Sequence, residues 1–153
     1  MKLQKRIGSL RFYVAVERVQ EIHGICSNLP SGRHVLMWDF DDVSREEVER
    51  ALKEARWQFD LPAVRVVQTA ERGFHAYCFR DFDFPTAVSI VAGTRHVDWN
   101  FIKMSVLRGF FTLRFSEKKG RKFLDHWCIG DPALETVKPE DLPCIAVYFS
   151  AKP

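Results

Sequence analysis

Val35-Leu36-Met37-Trp38-Asp39-Phe40-Asp41-Asp42 is an apolar run that ends in two acids one residue apart. Residues 35–40 are mostly β-branched, aromatic or large and apolar, which predicts a buried strand. Side chains alternate across a strand, so Asp39 and Asp41 leave the same face with Cβ atoms about 7 Å apart. Leu36, Trp38 and Phe40 then point the other way, into a core. Two carboxylates side by side at a strand end repel and are costly to desolvate. A hard divalent cation, Mg²⁺ or Mn²⁺, removes that cost. The competing reading is an Asx-rich turn that caps the next helix.

Working outward, Asn28–Arg33 carries Pro and Gly and reads as a turn before the strand. After it, Ser44-Arg-Glu-Glu47 is a capping box. The helix it opens runs to about Trp57, with Val48, Ala51, Leu52, Ala55 and Phe59 on one face, and Pro62 closes it. Val64–Thr69 is a short strand, Glu71–Gly73 a turn, and Phe74–Phe79 the strand that pairs back. Phe84–Ala92 is a helix with Pro85 in its first turn. A loop from Gly93 leads into a short strand carrying Asp98, and residues 100–107 fit helix or strand. Phe110–Ser116 is a strand. Lys119-Gly120 turns it, and Lys122–Ile129 is the expected hairpin partner. A polar loop from Gly130 to Pro143 precedes a last strand at Ile145–Phe149. Upstream, residues 1–8 are expected to fray. Leu10–Val19 is either a strand or the lead into a helix through Glu17–Ile25. The fold class is α+β in a single domain, mostly antiparallel sheet flanked by two or three helices.

The 153-residue chain is 46% apolar and 28% charged, an ordinary globular composition. A net charge of +3 does not by itself argue for nucleic acid. Its distribution says more: residues 114–122 are strongly basic, while acids cluster at 39–60 and 131–141. The four cysteines form no Cys-x-x-Cys pair, and His126 with Cys128 lacks a second pair for zinc. Cys78 and Cys144 lie in apolar runs and read as core, as do Trp38 and Trp57. Trp99 and Trp127 fit core or base-stacking roles equally. No leader-like segment and no apolar run near 18 residues is present, so the expectation is a cytoplasmic protein without a membrane partner.

The polar residues on or beside apolar strands form one set. It contains Asp39 and Asp41, Gly73-Phe-His75, Val97-Asp98, and the cations of Arg108, Arg114 and Lys118 with Ser116. Carboxylates, a histidine and cations together suit a metal–phosphate site. In order and spacing, Met-Trp-Asp39-Phe-Asp41, Gly73-Phe-His75 and Val97-Asp98 resemble the three motifs of the archaeo-eukaryotic primase (AEP) superfamily, the primase-polymerases. Arg108-Gly-Phe-Phe-Thr-Leu-Arg114-Phe-Ser116-Glu-Lys118 is similar to the basic strand that meets the incoming nucleotide in many members. The resemblance covers about residues 33–120.

That resemblance implies an AEP primase-like (RRM-like) catalytic core with two-metal nucleotidyltransferase activity in replication or repair. Asp39, Asp41 and Asp98 would be the catalytic metal ligands for Mg²⁺ or Mn²⁺. Arg72, Gly73, His75, Arg108, Arg114, Ser116 and Lys118 would meet the NTP or dNTP. Lys119, Arg121 and Lys122 would track a single-stranded or primed DNA template, although they also fit a solvated hairpin tip. A helicase or an accessory primase subunit is the implied partner. The chain departs from the family in lacking a zinc module, and in placing Arg72 where some members have a lysine. The alternative is a non-catalytic nucleic-acid-binding replication module of the same fold.

Overall fold

The structure is a computed structural model that describes residues 2–15, 19–115 and 123–150. Its elements run β1 (Lys2–Ile7), β2 (Leu10–Ala15), β3 (Val19–Cys26), β4 (His34–Asp41), α1 (Arg45–Gln58), β5 (Ala63–Ala70), β6 (Gly73–Phe82), α2 (Phe84–Gly93), α3 (Trp99–Arg108), β7 (Thr112–Arg114), β8 (Asp125–Gly130) and β9 (Cys144–Ser150). Short 3₁₀ turns at Pro132–Leu134 and Pro139–Asp141 sit in the loop before β9. The fold is α+β, with antiparallel sheets and three helices. Among the described residues no helix is long and apolar enough to cross a membrane.

The decisive stretch is the edge strand of a four-stranded sheet ordered β4-β6-β5-β8. Its register with β6 pairs Trp38 with Ala76, Asp39 with His75 and Phe40 with Phe74. Leu36, Trp38, Phe40, Phe74 and Ala76 are fully buried on the side covered by α1 and α2. The Trp38 indole N–H donates to Thr94 Oγ1 at 3.0 Å, which satisfies the one polar atom that this large side chain takes into the core. Ser44 and Glu47 close the expected capping box, and α1 buries Val48, Ala51, Leu52 and Ala55.

A second sheet, ordered β7-β3-β9, packs beside the first. Ser27 joins the two. Its carbonyl accepts from Val35 N, its N–H donates to Phe111 O, and its buried hydroxyl accepts from Phe111 N at 3.0 Å and contacts His34 Nδ1 at 3.1 Å. Leu113 and Leu142 complete the core between the sheets.

Several expectations change. Of the two alternatives open upstream, residues 19–26 take the strand, β3, and residues 2–7 pair with 10–15 rather than fraying. Among the described residues of the strand expected at 110–116, Thr112–Arg114 is strand and pairs with β3, while residues 125–130 pair with β5. The two are therefore not a hairpin, since each finds a longer partner elsewhere; the turn at Lys119-Gly120 lies outside the described residues. Residues 100–107 belong to helix α3. Trp57, expected in the core, is 87% exposed, because it falls on the outer side of α1, two residues past Ala55. Cys144, expected in the core, is exposed.

Candidate metal centre

Asp39 and Asp41 leave β4 two residues apart, so the pleat puts both on one face. Asp98 was expected on a strand; it is instead the N-cap of α3. The chain reaches it through His96, held at φ 65, and the Asp98 N–H donates to the Asp39 carbonyl at 2.9 Å. That backbone bond brings two distant stretches together. One carboxylate oxygen from each of Asp39, Asp41 and Asp98 lies within 4.8 Å of the others. Among the described residues this is the one group of three or more His, Cys, Asp or Glu side chains placed to hold a metal.

Asp98 has two tasks at once. Its carboxylate accepts from Phe101 N at 2.9 Å and from Asn100 N at 3.3 Å, which caps the helix. Capping the helix and facing the other two carboxylates are thus compatible in one geometry.

The donor set fits a hard cation. Ligands opposite each other on Mg²⁺ stand about 4.2 Å apart, since each bond is about 2.1 Å, so small side-chain rotations bring the three oxygens onto one ion. Asp39 is a quarter exposed, which leaves room for water in the remaining positions.

His75 stands beside Asp39 in the sheet register, with Nε2 3.5 Å from Asp39 Oδ1. Its Nδ1 is buried, and no well-formed hydrogen bond reaches it among the described residues. Burial first, and the nearby Arg114 charge second, push its pKa down to about 4, and the Asp39 carboxylate does not reverse this. His75 is therefore neutral near pH 7. It can offer an N–H to a phosphate oxygen but carries no charge to neutralise one.

Tyr77, two residues along β6 on the same face, was missed in the sequence. Burial and, after it, the Asp39 charge raise its pKa, and its ring stacks on Phe79 at 6.4 Å. The period-two spacing from His75 was the signal that pointed to it.

The other expected contacts divide. Arg114 on β7 lies close enough for its charge to act on His75. Arg72 is committed elsewhere: its Nε donates to Asp42 Oδ1 at 2.6 Å and its Nη2 to the Asp42 carbonyl at 2.8 Å. Gly73 is small for a local reason, since a Cβ there would sit 3.1 Å from Thr69 Oγ1 and 3.2 Å from Ala70 Cβ, both on β5. Arg108 ends α3, ten residues after the cap, and is exposed. At 1.5 Å per residue that helix carries its Cα about 15 Å from that of Asp98. Ser116, Lys118, Lys119, Arg121 and Lys122 lie outside the described residues. Comparison of the chain with protein-family models, with curated proteins and with solved structures finds no match.

Proposed function

We propose that this chain is a minimal primase-polymerase-type nucleotidyltransferase of the archaeo-eukaryotic primase superfamily. One observation carries the reading: Asp39, Asp41 and Asp98 converge within 4.8 Å, with His75 beside Asp39 in the sheet register. The three motifs quoted from the sequence thus share one site, although about sixty residues of chain separate the first from the last.

Asp39, Asp41 and Asp98 would hold Mg²⁺ or Mn²⁺. When bound, such ions lower the pKa of an attacking hydroxyl and stabilise charge on a triphosphate. The protein's own residues position the reactants. Asp98 is oriented by two backbone N–H groups and tied to β4 through its own N–H, so the trio needs little rearrangement before a ligand arrives. His75 offers a neutral N–H to a phosphate oxygen, and Arg114 supplies a positive charge close enough to act on His75. The substrates would be an NTP or dNTP and a single-stranded or primed DNA template, with Lys119, Arg121 and Lys122 along the template. A helicase or accessory primase subunit would help start primers.

The test is extension of a primed template with Mn²⁺ and dNTPs. Wild-type protein should give product, and Asp39→Ala, Asp41→Ala and Asp98→Ala should abolish it. His75→Ala should act mainly on the apparent KM for nucleotide. Wild-type protein that binds DNA yet makes neither extended primer nor dinucleotide, with or without its neighbouring replication proteins, would overturn the enzyme reading in favour of a nucleic-acid-binding module.

A further inference from the structure

Two guanidinium groups converge at the other end of the four-stranded sheet, and no carboxylate claims either. Arg56, in the last turn of α1, donates from Nε to the Pro62 carbonyl at 2.7 Å. Arg80 donates from Nη1 to the Asp60 carbonyl at 2.8 Å. Both carbonyls belong to the turn that leads from α1 to β5, where Asp60 is held at φ 50. Arg80 stands where the β4–β6 register slips, between the pairs Leu36–Cys78 and Val35–Asp81, and such bulges re-aim side chains. Together with Asp60, Pro62, Leu134 and Thr136, the two arginines line a cavity of about 300 Å³.

Carboxylates claim five of the described arginines, but neither of these two. Arg33, Arg45, Arg65, Arg72 and Arg95 each lie within ion-pair distance of a carboxylate. Neither Arg56 nor Arg80 does so among the described residues, although both are partly buried. Each donates through one N–H to a carbonyl of that turn, and both side chains line the cavity. A partly desolvated guanidinium favours an oxyanion that accepts two hydrogen bonds. Asp60 offsets part of the charge, and two cations against one anion leave the cavity net positive. Gly130 makes the arrangement possible. It sits at φ 100, and a Cβ there would lie 2.4 Å from both Arg56 Nε and Pro62 O. The role of Arg56 at a helix C-terminus explains its own bond but not the presence of Arg80 across the cavity.

We propose that the Arg56–Arg80 cavity binds a phosphate group, independently of the acidic site. Along β6 it lies about 17 Å from His75, five residues at about 3.3 Å each. The phosphate could be a free or terminal monoester or a backbone diester, and the experiment separates these sources. Titrate the full chain with inorganic phosphate in EDTA by NMR or calorimetry, and follow melting of each variant to check the fold. Arg56→Gln and Arg80→Gln should each weaken phosphate binding roughly tenfold or more, the loss of charge-assisted hydrogen bonds. Asp60→Asn should tighten it several-fold, which a merely structural residue would not do. If Arg56→Gln fails to fold, Arg80→Gln and Asp60→Asn carry the test. Next compare an oligonucleotide with and without a 5′-phosphate. Preference for the phosphorylated strand that Arg80→Gln erases assigns the cavity to monoesters. Equal binding that Arg80→Gln weakens assigns it to the diester backbone. Either result supports the site. Wild-type protein that does not bind phosphate, or binding unchanged by both Arg80→Gln and Asp60→Asn, overturns the proposal.

Discussion

Asp98 offers a way to separate structure from metal binding, because one carboxylate both caps α3 and joins the acidic trio. Asparagine caps a helix about as well as aspartate, whereas alanine loses about 0.5–2 kcal/mol of cap. Asp98→Asn should therefore keep the helix start, with its amide oxygen still accepting from Phe101 N and Asn100 N. It also removes a charge from a trio whose oxygens lie within 4.8 Å, and each such repulsion is about 1 kcal/mol in a water-like dielectric. In EDTA, Asp98→Asn should be as stable as wild type or slightly more so. Asp98→Ala should fall below Asp98→Asn by the cap, about 1 kcal/mol. Mn²⁺ reverses the ranking. At a hundredfold excess over Kd it should stabilise wild type by about 2.7 kcal/mol, which is about 5–11 °C in Tm for a domain of this size. Neither variant should show that shift. The assay is thermal and urea unfolding of all three proteins, with EDTA and with Mn²⁺. An Asp98→Asn protein that Mn²⁺ stabilises as strongly as wild type would refute the ligand role, and an alanine variant equal to asparagine in EDTA would refute the cap.

Gly130→Ala should destabilise by about 3–5 kcal/mol, combining a left-handed backbone cost of about 1–2 kcal/mol with displacement of Arg56 from its carbonyl, and urea unfolding at unchanged m-value would measure it. His75 has a folded pKa of about 4 against an ordinary 6.5, so between those values the unfolded chain binds the proton and the native one does not. Metal-free stability should thus fall as pH drops from 6.5 towards 4 and level off below, and the difference between wild type and His75→Gln should isolate that slope. Trp57→Ser should change stability by no more than about 0.5 kcal/mol, while Trp38→Ala should cost about 3–5 kcal/mol, both read from denaturant midpoints.

The site's first half was legible because local rules govern it. The apolar run fixes β4 by composition, and its period of two puts Asp39 and Asp41 together before any partner is known. The Ser44–Glu47 box likewise needs only neighbours in sequence. Asp98 was identified as a member of the trio but assigned the wrong element. Val97-Asp98-Trp99 alternates like a strand, and the left-handed turn at His96 that starts a helix there carries no glycine to announce it. Arg108, expected on a basic strand, instead ends helix α3 for the same reason. The false hairpin arose in the same manner. A Lys-Gly turn is a local signal, whereas the partners of β7 and β8 are set by β3 and β5, far away in the chain. Trp57 was misread by residue type alone, although its place on the helical wheel after Val48, Ala51, Leu52 and Ala55 marks it as outward.

The pairing of β3 with β9 runs from Val19 opposite Ser150 to Ile25 opposite Cys144. During synthesis, β3 leaves the ribosome long before the strand that will lie against it. The other partner of β3, β7, offers only three residues. The second sheet must therefore wait for β9, while β4, β6 and β5 can already zip together behind it. The nascent chain would hold an exposed strand edge throughout that interval, and slowing translation before residue 144 would lengthen its exposure to chaperones and to other copies of itself.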